Sequence, residues 1–140
     1  MIAVVDTPID LEALVEAVRT DACGAVVTFL GVVRATSAGD DRPVDGLTYE
    51  AYPAMALAEM QAIANEASGA FSAVIAIVHR TGVLHLGEAS VGIAAASAHR
   101  GVAFDACEYV IDQLKLRVPV WKKEHYIDGA TAWRANTIAP

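Results

Sequence analysis

Three lysines are all that this chain has, and the stretch LKLRVPVWKKE, residues 114–124, holds every one of them: Lys115, Lys122 and Lys123. Lys115 and Lys122 stand seven residues apart with Pro119 between them. A proline ends a helix and lets an extended segment follow, so two ammonium groups separated by a helix end and one turn can converge. Neighbouring ammoniums lower each other's pKa, and a lysine lowered in this way serves as an acid, a base or a nucleophile near neutral pH. Lys123 reads as a solvated or stem-packed side chain. Arg117 falls in the last turn of the predicted helix, where the dipole alone accounts for a cation.

A second constellation is SAHRG, residues 97–101. His99 and Arg100 fall in the first turn of that helix, where unpaired backbone N–H groups already favour an anion. Cations at this end run against the dipole. A phosphate or carboxylate ligand would account for them, with an exposed pair carrying a small penalty as the plainer alternative. Arg34 ends a hydrophobic run and opens a polar loop, a place where binding side chains are held, although arginines at strand ends are commonly just solvated. Cys107 lies on an apolar helix face and reads as core, and Cys23 is undecided. The histidines at 79, 85 and 125 have no metal-ligand spacing, and neither a Walker loop, G-x-G-x-x-G nor G-x-S-x-G is present. No metal or cofactor is expected.

The elements that must position these side chains can be read from hydrophobic period. Leu11, Leu14, Val15 and Val18 behind Asp10 give a first amphipathic helix. AVVTFLGVVR reads as a buried strand with a bulge or close approach at Gly31. Residues 35–46 form a turn-rich loop before a strand LTYEAY. Pro53 opens a second helix expected to stop at Ser68–Gly69. AVIAIVHR and ASVGIAAAS form two strands around TGVLHLGE, which is expected to hold a short hairpin of its own. Ser97 is placed to cap a third helix, about 98–117. Beyond Pro119 the segment VWKKEHYI alternates, with Val120, Lys122, Glu124 and Tyr126 on one face and Trp121, Lys123, His125 and Ile127 on the other. The pattern predicts an α+β fold with a mixed, mostly antiparallel sheet in a single domain over 1–140.

Composition narrows the function classes. The 140 residues are 55% hydrophobic, enough for one core, and carry a formal charge of −7. Such a surface repels polyanions, so nucleic acid is excluded as a general partner and an anionic ligand must be met by a local basic cluster. No apolar run approaches the roughly 20 residues of a membrane span, and the first residues lack the basic start of a signal peptide. A cytoplasmic protein with reduced thiols is expected.

The run IVHRTGVLHLGEASVGIAAASAHRGVAFDACEYVIDQLKLRVPVWKKE, with GAVVTFLGVVR and YEAYPAMA upstream, resembles the catalytic (large) subunit of molybdopterin synthase. The likeness covers Ile2 to about Trp133, and the ordered motifs F-x-G-x-V-R, S-A-H-R and L-K-x-R-x-P-x-W-K-x-E are highly specific. The resemblance implies an α/β hammerhead fold and a homodimer within a heterotetramer, flanked by a small ubiquitin-like sulfur-carrier subunit. It implies transfer of two sulfurs from that subunit's C-terminal Gly-Gly thiocarboxylate to cyclic pyranopterin monophosphate. Lys115 and Lys122 match the family's catalytic lysines, and Arg34, His99 and Arg100 its substrate-binding residues. After Trp133 the sequence RANTIAP does not reproduce the basic tail of relatives, which leaves Arg134 as a stand-in. The alternatives are a non-catalytic module that docks a ubiquitin-like tail, and a Schiff-base lyase using the lysines alone.

Overall fold

The computed structural model describes residues 1–37 and 39–135. In chain order it runs β1 (Ile2–Val5), α1 (Leu11–Val18), β2 (Ala25–Val32), β3 (Val44–Ala51), α2 (Pro53–Phe71), β4 (Val74–Arg80), β5 (Gly82–His85), β6 (Ala89–Ser97), α3 (Arg100–Arg117), β7 (Val120–Tyr126) and β8 (Thr131–Ala135). The strands form two four-stranded sheets, ordered β1-β4-β6-β2 and β5-β3-β7-β8. Among the described residues only β1 and β4 pair in parallel; the other pairs are antiparallel. The α+β class and the mixed, mostly antiparallel character are as the pattern predicts, divided over two sheets instead of one.

The first sheet is buried on both faces. Along β6 the side chains alternate between two cores: Ile93 and Ala95 join α2 and α3 with Met60, Ile63 and Val110, while Ala94 and Ala96 meet α1 through Leu14 and Val18. A strand covered on both sides reads as one continuous apolar run, and its alanines let the helices approach closely. Asp10 caps α1 by accepting from the Ala13 N–H at 3.1 Å, as its sequence position suggests.

Several local expectations are corrected by packing. Helix α2 continues past Ser68–Gly69 to Phe71, because Ala64 and Ala67 carry its buried stripe onward, and it ends at Ser72 in the left-handed conformation with φ 48°. Ser97 does not cap α3. It closes β6, its carbonyl accepts from the Gly24 N–H at 3.0 Å, and its hydroxyl donates to the Ser72 carbonyl at 3.4 Å. His99 takes the N-cap position with no side-chain cap bond. The TGVLHLGE segment does not fold on itself; β5 pairs with β3 from Gly46↔His85 to Tyr49↔Gly82. Strand β2 stops at Val32, with the irregularity at Gly31/Val32, so Arg34 stands beyond the strand. Strands β1 and β8 are additional to the predicted set.

Candidate functional site

The two sheets and the last turns of α3 enclose a cavity of about 320 Å³. Its wall includes Arg34, Tyr49, Ser90, Lys115, Lys122 and Glu124. Lys115 reaches it from the end of α3, which is closed by the Val118 N–H donating to the Leu114 carbonyl at 3.2 Å. Pro119 turns the chain, and β7 then presents Lys122 between Tyr49 of β3 and Arg134 of β8. The predicted alternation holds: Val120, Glu124 and Tyr126 are buried, and Trp121 is 40% exposed on the opposite face. Thus the convergence of Lys115 and Lys122 follows from one helix end, one turn and the two-residue period of a strand.

Both ammoniums are held below the ordinary lysine range. At Lys115 burial is the larger cause and the Lys122 charge adds to it. At Lys122 burial again leads; the Glu124 carboxylate opposes it, and the Arg34 and Arg134 charges reinforce it. Desolvation, more than mutual repulsion, therefore makes these lysines readier to release a proton, because burial penalises the charged form.

Glu124 anchors the floor. Only 3% exposed, it accepts through Oε1 from Ser37 Oγ at 3.1 Å, Arg134 Nε at 3.0 Å and the Tyr126 hydroxyl at 3.4 Å. A buried carboxylate needs such partners, and here they tie the segment before β3 to β7 and β8. The Tyr49 phenol is buried and pushed up by that burial. Behind it the His79 ring stands edge-on at 5.5 Å. His79 is pushed down to about 4, first by burial and also by the Lys115 charge. Its Nδ1 donates to the Arg80 carbonyl at 3.0 Å, which fixes the neutral tautomer.

Of the sequence-derived candidates, Arg34, Lys115 and Lys122 meet at this cavity. His99 and Arg100 do not. They are exposed at the other end of α3, an unbroken helix of 18 residues, and the rise of about 1.5 Å per residue separates Arg100 from Lys115 by about 22 Å along the axis. Cys107 is 5% exposed and its thiol is pushed up to about 11 by burial, which removes it as a nucleophile. Arg134 has a definite place, bonded to Glu124, while residues 136–140 of the tail lie outside the described residues. Sequence reading did not single out Glu124, Tyr49 or Ser90. The alternation of β7 carried a signal for Glu124 by setting it on the Lys122 face.

Comparison with known proteins identifies the family and the fold. A family model described as MoaE protein matches residues 4–117. The chain is 46% identical over 129 residues to the protein named molybdopterin synthase catalytic subunit in Oryza sativa subsp. indica, aligning 91% of itself with 65% of that relative. It thus spans 65% of the rice protein's length. It is 41% identical over 121 residues to the protein of the same name in Pyrococcus abyssi, with 86% of this chain and 80% of the relative aligned. The X-ray structure of molybdopterin synthase from Staphylococcus aureus matches with a TM-score of 0.88 at 37% identity, covering 94% of each chain. A family model over most of the length, relatives above 40% identity and a shared fold make this chain a member of the MoaE protein family.

Proposed function

We propose that this chain is the catalytic subunit of a molybdopterin synthase, a cytoplasmic sulfurtransferase acting as a single domain. It takes sulfur from the C-terminal thiocarboxylate of a small ubiquitin-like subunit and builds the dithiolene on cyclic pyranopterin monophosphate. The observation that carries this reading is the convergence of Lys115 and Lys122, both held below the ordinary lysine range, on one cavity with Arg34 at its wall. The names of the rice and Pyrococcus abyssi relatives support it.

The chemistry suits these side chains. Opening a cyclic phosphate and adding sulfur to the pterin side chain develops negative charge and requires protons to move. Lys115, desolvated and beside a second ammonium, acts as the general acid and base. Lys122 orients the thiocarboxylate carbonyl, and Arg34 binds the phosphate. His99 and Arg100 reach substrate from a second copy of the chain, because one small molecule does not bridge the length of α3. No thiol of this chain takes part, since the sulfur arrives already activated. The test is reconstitution with a thiocarboxylated small subunit and the pyranopterin, reading product mass. Gain of two sulfurs is expected; a complex that forms yet transfers none overturns the reading.

A further inference from the structure

We propose that Asp112 is a specificity-determining residue of the lysine cavity: its carboxylate accepts the paired N–H groups on the aminopyrimidinone edge of a pterin, and so fixes which way the substrate lies. This contact rests on the sulfur-transfer reading above and belongs to the same site.

Helix α3 lays one face along that site. Phe104, Glu108, Ile111 and Lys115 recur at intervals of four, three and four, with Asp112 next to Ile111, so all five side chains share a face. Beside the lysine cavity, that face borders a second one of about 460 Å³, walled by Val27, Phe29 and Phe104. Phe29, Ile111 and Asp112 belong to both. The two cavities therefore make one trough whose ends differ in charge. Arg34, Lys115 and Lys122 stand at the first end. At the second, among the described residues, aliphatic and aromatic side chains dominate and the charged groups are Glu108 and Asp112.

A phosphorylated pterin has the same polarity along its length. Its phosphate is anionic, its ring is flat, and its far edge sets a ring N–H and an exocyclic amino group side by side. Lysine and arginine carry donors only, so none of the three cations accepts from that edge. A carboxylate accepts two parallel N–H groups at once. Two carboxylates wall the lysine cavity, Asp112 and Glu124. Glu124 is committed to Ser37, Arg134 and Tyr126. Asp112 is exposed, and among the described residues it makes no ion pair. It stands three residues before Lys115, about 4.5 Å along the axis at the rise of an α-helix. With the far edge on Asp112 and the phosphate on Arg34, the side-chain carbons that take sulfur fall between them, on the Lys115 side of the trough. The ring then lies against Phe29 and Phe104, faces that favour offset stacking. Glu108 is a further turn away and lines the second cavity alone, which makes it the comparison residue.

Equilibrium binding of a pterin monophosphate and of its 2-oxo counterpart, which lacks the amino donor, tests the contact without turnover. The parent chain should prefer the pterin by about tenfold or more. Asp112→Asn should abolish or reverse that preference, since an amide offers one acceptor and one donor, whereas Glu108→Gln should keep it. In turnover, Asp112→Asn should raise KM for the cyclic pyranopterin by about tenfold or more while kcat stays within about threefold. A merely structural role would not give that split. Equal binding of the two ligands by the parent chain, a preference kept in Asp112→Asn or lost instead in Glu108→Gln, or a fall in kcat at unchanged KM overturns the proposal. Discrimination that depends on Asp112 in a protein that transfers no sulfur upholds the contact and counts only against the function.

Discussion

Burial and a second ammonium together hold the charge of Lys115 weakly, which is why the proton chemistry is proposed for this residue. Lys115→Ala should lower sulfur transfer by about 10²–10⁴-fold while leaving the affinity for the small subunit within about threefold, because docking is spread over a far larger surface. Lys115→Arg should retain the charge and still fail in turnover, since a guanidinium does not release its proton. Binding and single-turnover assays on the same variants check both. His79 supplies a pH signature. Its folded-state value of about 4 lies below the ordinary 6.5, so the unfolded chain binds the proton first. Its stability contribution is complete above pH 6.5 and falls as pH drops towards 4. Urea unfolding should lose about 2 kcal/mol from this residue between pH 7 and pH 5, a loss that His79→Gln should remove. An equal loss in that variant would assign the effect elsewhere. The lysine pair was legible from the sequence because lysine is so scarce. Glu124 and Tyr49 were not, because their roles depend on burial between strands β3, β7 and β8, which residue type does not reveal.

At the scale of elements, the two-sided burial of β6 sets how closely α1 can approach. A Cβ on Gly92 would lie 2.7 Å from Leu14 Cδ1 and 2.9 Å from Ile9 Cγ2. Gly92→Ala should therefore push α1 off the sheet and cost about 1–3 kcal/mol. Gly69 faces open space inside α2, so Gly69→Ala should stabilise by about 0.5–1 kcal/mol through helix propensity. Thermal unfolding of the two variants should shift in opposite directions. The same contrast explains what the sequence made readable. Helix α3 and strand β7 were clear, because a sustained apolar stripe, a proline stop and strict alternation each have a local cause. Strand β1, with four residues, is too short to show a period and exists through its parallel pairing with β4. Strand β8 was signalled by Asp128–Gly129, a hairpin pair that hydrophobic period passes over; Gly129 has φ 86°, and the Asp128 carboxylate accepts from the Ala130 N–H at 2.9 Å. The end of α2 was misplaced because packing of Ala67 and Phe71 outweighs the local preference of Ser68–Gly69 to stop.

At the scale of the whole molecule, a chain of net charge −7 must gather its few cations locally to meet the anionic substrate proposed for it, and α3 sets Arg100 and Lys115 near its two ends. Co-expressed Arg100→Ala and Lys115→Ala chains should each be inactive alone, while purified mixed dimers should regain one intact site and about half the wild-type activity per dimer. Mixed dimers as inactive as either parent, with both variants folded and dimeric, would defeat the shared site. The continuity of α3 has a further consequence in that dimer. With the site shared as proposed, one stiff rod would carry Lys115 of its own site at one end and His99 and Arg100 of its neighbour's site at the other, so a substrate that draws either end inward would displace both. The sites are then linked allosterically, and linkage is reciprocal. Calorimetric titration with pyranopterin should accordingly depart from two identical, independent binding events, and replacing Gly101, at the start of the rod, by alanine should alter the interval between the two affinities more than their mean.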